Sequence, residues 1–283
     1  MVRRPDGGDI GSVKEVFSMK KITVPEILKM KAEGRKIPAL TAYGFSIASI
    51  LDEAGIPLFI VGDSAGMVEA GHATTIPVTM DEMIYHTRSV ARGTKTALIV
   101  SDMPFGSYQS SIDDARANAL RLVKEGGAEA VKLEGGMRVA SVIKAISEMD
   151  VPVMGHIGLT PQSFHKMGGF KVQGKTKNEA ETILDDAYAV AEAGAFAIVL
   201  EGIPSELARE ITASISIPTI GIGAGPFCDG QVLVINDMIG MNTVKTPKFV
   251  KKYADVRTVI DTAVRRYMEE VEEGVFPSKN ESY

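Results

Sequence analysis

The sequence predicts an α/β fold, a (β/α)8 TIM barrel formed as a single domain, and three observations lead there. Short apolar runs alternate with amphipathic stretches about eight times along the chain. The runs carry no polar alternation, as expected of parallel strands covered by helices on both faces. The length, 283 residues, suits one such barrel, which typically takes about 250. An open, doubly wound sheet is the alternative arrangement of the same units.

In chain order, residues 1–18 carry Pro5, Gly7, Gly8 and Gly11 with little apolar periodicity and read as a disordered N-terminal tail. The barrel domain is 19–283, with Met19 a candidate start. A capped helix start is expected at Thr23-Val24-Pro25-Glu26, with threonine before the helix and proline in its first turn. Strands are expected at Ile37 to Ala42, Leu58 to Gly62, Thr96 to Ser101, Ala130 to Leu133, Val151 to Gly155, Ala195 to Leu200, Pro218 to Ile222 and Val232 to Ile235. Between them, helical periodicity marks Ser46 to Ala54, Asp81 to Arg92, Asp113 to Glu125, Val139 to Met149, Glu179 to Ala193 and Ser205 to Ala213. Gly55, Gly93, Gly126 and Gly194 follow four of these as left-handed stops. The connection between the seventh and eighth strands is too short for a helix. From Phe249 to Glu273, Val250, Tyr253, Val256, Val259, Ile260, Ala263, Val264 and Tyr267 recur at helical spacing. They predict a closing helix with a face broad enough to meet a neighbouring subunit as well.

Composition narrows the class. Hydrophobic residues at 45% and charged residues at 24% supply a core and exclude global disorder. The net charge of -5, with lysines and arginines dispersed, gives no footprint for nucleic acid. No apolar run approaches the roughly 20 residues that span a bilayer, and no apolar core of a signal peptide follows the basic N-terminus. A cytoplasmic protein without a membrane role is expected. The single cysteine, Cys228, excludes an internal disulfide and fits a reducing compartment. No base is paired with it, so it reads as inert.

In a barrel, polar residues at the C-terminal ends of the strands share one cavity, because active sites of this fold lie on that face. The second strand ends in Asp63 and Ser64 and the third in Asp102; the fourth carries Lys132 and Glu134, the fifth His156 and the sixth Glu201. Lys132 and Glu134 alternate with Val131 and Leu133, so the charged pair faces the interior and the apolar pair the helices. Each aspartate taken alone also reads as a helix cap or turn opener. A lysine and several carboxylates inside a barrel need compensation. Asp63, Asp102 and Glu134 are hard oxygen ligands with no Cys or His cluster beside them, which favours Mg2+ over zinc. A metal-free network of Lys132 with Glu134 and Asp102 is the alternative.

Other candidates carry two readings each. His156 suits a substrate oxygen or a backbone partner. His86, in mid-helix, and His165, in a loop, read as bland, and His72 sits in a loop able to close over the site. Gly221-Ile222-Gly223-Ala224-Gly225 reads equally as a phosphate cradle and as a tight turn. Two long loops, Gly66 to Thr79 and Gly158 to about Lys177, are lid candidates. The second carries Lys166, Lys171, Lys175 and Lys177, which suit an acidic substrate or simply solvent.

Val61-Gly62-Asp63-Ser64, Pro77-Val78-Thr79, Tyr85-His86-Thr87, Val131-Lys132-Leu133-Glu134-Gly135-Gly136, Gly155-His156-Ile157-Gly158-Leu159-Thr160-Pro161-Gln162-Ser163 and the Gly221 to Gly225 stretch carry a resemblance. Taken together, from about Thr23 to Lys251, the chain resembles the ketopantoate hydroxymethyltransferase (3-methyl-2-oxobutanoate hydroxymethyltransferase) family. The resemblance implies a Mg2+-dependent barrel enzyme of pantothenate biosynthesis that assembles as a homodecamer. It would transfer a hydroxymethyl group from 5,10-methylenetetrahydrofolate, a co-substrate, to the 2-oxo acid 3-methyl-2-oxobutanoate. It implies that Asp63 and Asp102 bind the metal, with Glu134 completing the site directly or through water. Asp63, Ser64, Asp102 and Lys132 would hold the 2-oxo acid, Glu201 would accept the proton, and His156 would lie near the substrate's oxygens as a second catalytic candidate. Loss of the C3 proton is eased when the enolate charge falls on an oxygen held by a cation. Two other readings stand against it. One is a Mg2+ lyase or mutase of the phosphoenolpyruvate/isocitrate lyase barrel type, which would be expected to carry a cysteine or comparable acid near the site. The other is a non-catalytic metabolite-binding barrel, which leaves the filled metal, base and cation positions without a purpose.

Overall fold

Eight parallel strands pair each with its sequence neighbour, and the eighth returns to the first, so the sheet closes and the open-sheet alternative falls away. The computed structural model describes residues 20–242 and 246–283. Its strands are β1 (Ile37–Thr41), β2 (Leu58–Val61), β3 (Leu98–Asp102), β4 (Ala130–Glu134), β5 (Val153–Gly158), β6 (Ala197–Glu201), β7 (Thr219–Ile222) and β8 (Gly230–Leu233). Helices α1 (Val24–Ala32), α2 (Phe45–Glu53), α3 (Ala65–Val68), α4 (Met80–Gly93), α5 (Ile112–Arg121), α6 (Ala140–Ser147), α7 (Phe164–Met167), α8 (Lys177–Glu192), α9 (Ser205–Ser214), α10 (Ile235–Met238) and α11 (Val256–Glu272) surround it or extend from it. Among the described residues no helix is long and apolar enough to cross a membrane.

Burial follows the strand period of two. Ala39, Leu58, Ile60, Leu98, Val100, Ala130, Met154, Ala197, Val199 and Ile220 form one cluster inside the barrel. Phe59, Val61, Ile99, Val131, Leu133, Val153 and Ile198 belong to a second cluster with the helices outside it. A fully buried aliphatic side chain contributes about 1.5–3 kcal/mol, so the inner layer is a packed floor rather than a pore. Ile27 and Met30 of α1, which leads into β1, join the inner cluster and close the barrel from below. Above the floor the same inward-facing positions become Asp102, Lys132, Glu134, His156 and Glu201.

Several expectations are corrected. Thr23 precedes α1 without a side-chain cap; its carbonyl instead accepts from Glu26 N and Ile27 N. The helix expected over Asp113 to Glu125 is α5 followed by a π turn over Leu122–Gly126, which Gly127 ends at φ 78°. β8 stops two residues early because Ile235 opens α10 with its N–H bonded to Thr41 Oγ1 at 3.0 Å. The C-terminal helix begins at Val256 rather than Phe249, and none of its residues is buried, so it does not close this barrel. Phe249 lies over Gly223, where an added Cβ would stand 2.8 Å from the ring. The tail over 1–18 and the start at Met19 lie outside the described residues.

Candidate active site

β2 through β6 deliver their polar ends to one point. Asp63 follows β2, and its backbone N–H donates to Asp102 Oδ2, at the end of β3, at 3.1 Å. Lys132 Nζ, from β4, lies 3.2 Å from Asp102 Oδ1 and 3.2 Å from His156 Nδ1 of β5. His156 Nε2 lies 3.1 Å from Glu201 Oε2 at the end of β6, and its Nδ1 lies 3.6 Å from Glu134 Oε1. Ser64 Oγ is hydrogen-bonded to Tyr43 OH at 2.7 Å. Six of the seven residues singled out in the sequence are therefore linked within one cluster, and the seventh, Ser64, follows Asp63 in the chain with its hydroxyl bonded to Tyr43. Neither aspartate serves as a helix cap: the Asp63 carboxylate takes Gln162 Nε2 and the Asp102 carboxylate takes the Asp63 N–H. At Gly158 the backbone has φ +88°, and an added Cβ would meet the Glu201 carbonyl oxygen at 2.4 Å. Glycine thus lets β5 and β6 approach where His156 and Glu201 meet.

The electrostatics follow from burial. Asp63 is pushed up to about 7, first by its removal from water and then by the neighbouring Asp102, with Lys132 pulling the other way. Glu134 is pushed well above the carboxylate range by burial and then by Asp63. Burial works against the Lys132 ammonium, but Asp102, Glu134 and Asp63 outweigh it and hold its pKa above the ordinary value. His156 is pulled down by burial and then by Lys132, so its ring is neutral near pH 7. Because an ammonium can only donate, His156 Nδ1 accepts from Lys132 and the ring proton sits on Nε2, facing Glu201.

Gln162 and Tyr108 also belong to the site and were missed in the sequence. Gln162 N donates to Glu134 Oε2 at 2.9 Å, and its Nε2 donates to Asp63 Oδ2 at 2.8 Å. Tyr108 OH accepts from Glu134 N at 3.0 Å and lies 2.7 Å from Gln162 Oε1. The available signal was the Thr160-Pro161-Gln162-Ser163 stretch inside a candidate lid. That segment is not structureless: it forms a 3-10 turn at Pro161–Ser163 and then α7, which contains His165. Its lysines 166, 171, 175 and 177 are exposed. The other loop candidate opens with α3 and ends in a capping box, in which Thr79 N donates to Glu82 Oε2 at 2.7 Å.

The remaining candidates stand apart. His86 Nδ1 donates to the Tyr43 carbonyl at 2.7 Å, a structural bond. Cys228 is buried, its thiol pushed up by burial, and an added Cβ at Gly221 would meet its sulfur at 2.9 Å. It packs against the barrel wall and offers no acid to a lyase-type site. An added Cβ would meet the Phe249 ring at Gly223 and Ser205 at Gly225, so neither position has room for a side chain, and both glycines line a groove beside Phe249. A groove lined by Lys36, Pro38, Gly223, Gln231 and Phe249 shares no residue with the carboxylate cluster.

The donor set fits a hard divalent cation. Asp102 Oδ1 is buried without an aligned hydrogen bond, although Lys132 is near, and Asp63 beside it is raised by burial and then by the like charge of Asp102. Among the described residues no group of three or more His, Cys, Asp and Glu side chains is placed to hold a metal ion by itself. Two carboxylates with open positions are what Mg2+ accepts, since it keeps waters or substrate oxygens in the others. Glu134 stands behind them, held by Gln162 N.

Residues 21–279 match the ketopantoate hydroxymethyltransferase family. A 3-methyl-2-oxobutanoate hydroxymethyltransferase of Geobacter sulfurreducens is 60% identical over 261 residues, covering 92% of this chain and 98% of the relative. One from Pelobacter propionicus is 58% identical over 264 residues, covering 93% and 98%. Among solved structures, a phosphonopyruvate hydrolase in complex with oxalate and Mg2+ superposes with a TM-score of 0.59 at 14% identity, covering 92% of this chain and 93% of the other. A 2,3-dimethylmalate lyase of the PEP mutase/isocitrate lyase superfamily gives 0.57 at 14% identity, covering 90% and 89%. The structural likenesses establish the barrel; the sequence matches establish kinship.

Proposed function

The chain belongs to the ketopantoate hydroxymethyltransferase family, an enzyme family of pantothenate biosynthesis, and from that premise we propose how its barrel mouth performs the reaction. The substrates are 3-methyl-2-oxobutanoate and, as one-carbon donor, 5,10-methylenetetrahydrofolate. The observation that carries the reading is the contact chain Asp102, Lys132, His156, Glu201, which lines up a cation, a neutral imidazole and a carboxylate across four strands.

Lys132 and Ser64 hold the anionic 2-oxo acid, with the ammonium supplying the charge its carboxylate requires. Asp63 and Asp102 would hold Mg2+, with Glu134 completing the site directly or through water. When bound, the metal stabilises the negative charge that develops on the keto oxygen as C3 is deprotonated. Glu201, with a side chain 16% exposed, takes the C3 proton. His156 presents Nε2–H to the same region, steadying the carboxylate and the substrate oxygens. C3 then bonds to the methylene carbon, both carbon–nitrogen bonds of that carbon to tetrahydrofolate break, water supplies the hydroxyl of 2-dehydropantoate, and the two freed nitrogens take up the proton lost from C3 and the remaining proton of the water. Folate is consumed as a co-substrate rather than held as a prosthetic group.

The assembly follows the family reading, a homodecamer. The exposed apolar face of α11, including Val264 and Tyr267, supports contact between copies. A cytoplasmic setting suits a chain whose lone cysteine needs no oxidising compartment. The test is turnover: 2-dehydropantoate is expected from the two substrates with Mg2+ present. Cleavage of an isocitrate-type substrate in its place would overturn the reading.

A further inference from the structure

Gln162 is the side chain on which the site's hydrogen bonds converge. Its Nε2 donates to Asp63 Oδ2 at 2.8 Å and to the Met103 carbonyl at 2.9 Å. Its Oε1 accepts from Gln109 Nε2 at 3.1 Å and, at 2.7 Å, is the nearer of two acceptors for the one Tyr108 hydroxyl proton, the other being the Glu134 carbonyl at 3.1 Å. Both amide hydrogens and the carbonyl oxygen are engaged, so one orientation of the amide is strongly favoured over the other. Turned over, its oxygen would face the Asp63 carboxylate and the Met103 carbonyl, and its NH2 would face that of Gln109. Buried polar groups cost least when every member of the network is satisfied, and such a network holds one geometry. Gln162 reaches this position from the loop after β5, while its backbone N–H holds Glu134 Oε2 on β4.

The strand ladders already fix β2 against β3 and β4 against β5, so Gln162 is not needed to close the barrel. What it fixes is a rotamer. With Asp63 Oδ2 committed, Oδ1 is the oxygen that receives no hydrogen bond among the described residues. We propose that Gln162 is a positioning residue for Asp63: its amide, oriented by Tyr108 OH, holds Asp63 Oδ2 so that Oδ1 is presented to the metal and substrate. The proposal rests on the reading above, in which Asp63 is a metal ligand.

The test is Mn2+ binding to the whole protein, followed by electron paramagnetic resonance without substrate, beside thermal melting. Gln162→Met keeps the chain length and the backbone bond to Glu134 but removes the amide. Groups that orient metal ligands from behind typically change affinity by about 10- to 100-fold. Gln162→Met is therefore expected to weaken Mn2+ by roughly 10-fold or more. Tyr108→Phe, which keeps the amide but frees its orientation, should weaken Mn2+ in the same direction by less. If either variant melts lower while the folded protein binds Mn2+ as tightly as the parent, Gln162 is only structural and the proposal is overturned. Should Gln162→Met fail to fold, Tyr108→Phe decides alone. The parent and Asp63→Asn separate the two layers. A parent that binds no Mn2+ removes the metal reading and the proposal together. A parent that binds it, with loss in Asp63→Asn but not in the Gln162 and Tyr108 variants, removes the proposal alone.

Discussion

Lys132 Nζ lies 3.2 Å from Asp102 Oδ1, an ion pair whose side chains are 6% and 4% exposed. With so little water to screen it, the pair is an electrostatic anchor rather than a surface decoration. Its ammonium also fixes the His156 tautomer through Nδ1. Removing one partner of such a pair leaves a buried charge uncompensated, at a cost of about 3–5 kcal/mol. The barrel tolerates this arrangement because the apolar floor below, not the polar top, provides its core.

Asp63→Ala and Asp102→Ala should each abolish metal-dependent turnover while leaving the barrel folded. Loss of the metal's stabilisation of the enolate removes several kcal/mol, at least about 1000-fold in rate. Steady-state assays with and without Mg2+, beside circular dichroism, check this. Near-normal turnover by both variants after metal removal would contradict the assignment.

Asp52 gives a prediction about pH. Its carboxylate accepts from Lys95 N at 2.8 Å, Ala97 N at 2.8 Å and Thr96 Oγ1 at 2.7 Å, tying α2 to the entry of β3. Burial alone would raise its pKa, but the bonds from Thr96, Ala97 and Lys95 outweigh that and hold it below the ordinary value. The unfolded chain therefore takes up the proton more readily. The stabilisation is complete above the unfolded value of about 3.9 and is lost as pH falls through the folded one. Asp52→Ala should cost about 3 kcal/mol in urea unfolding at pH 7, and the difference from the parent should shrink below about pH 4. A difference unchanged down to pH 3 would show that the charge of Asp52 is irrelevant.

The barrel was legible because its strands are short apolar runs and its helices are periodic. Likewise, a charged residue at a strand mouth, such as Asp102 or Glu201, declares itself by type and position together. The C-terminal helix was misplaced because Phe249, Val250 and Tyr253 happen to share its spacing. Tertiary contacts claim them instead: Phe249 covers Gly223, and Tyr253 N donates to the Met238 carbonyl at 2.8 Å. Gln162 and Tyr108 escaped notice for a different reason. A neutral amide and a phenol in loops have no charge or period to mark them, and their role lies in orientation, which only the folded chain shows.

The exposed face of α11 bears on assembly. Val264 and Met268 are about half exposed, and no part of their own barrel covers them. A double variant, Val264→Asp with Met268→Asp, places charge where another copy would pack and should convert a large homo-oligomer to smaller species. Light scattering at micromolar concentration reads the change. A parent that already has the mass of one chain would contradict the decamer.

The final prediction separates proton transfer from binding, and it turns on Glu201. The carboxylate ends the apolar run Ala197 to Leu200, and Oε2 lies 3.1 Å from His156 Nε2 without forming an aligned hydrogen bond. Such looseness is common before substrate arrives, when catalytic contacts have yet to tighten. With the ring proton on Nε2, His156 donates toward Glu201 and cannot itself accept the C3 proton at that nitrogen. Of the two catalytic candidates, only the carboxylate is left as base. Glu201→Gln keeps the shape but removes the basic oxygen, so 3-methyl-2-oxobutanoate and Mg2+ should still bind. Turnover should fall by roughly 100- to 10,000-fold, the usual weight of a general base. Exchange of the C3 proton with deuterated water, followed by NMR without folate, should fall in parallel. Exchange at the parent rate in Glu201→Gln would place the base elsewhere and reduce Glu201 to an anchor for His156.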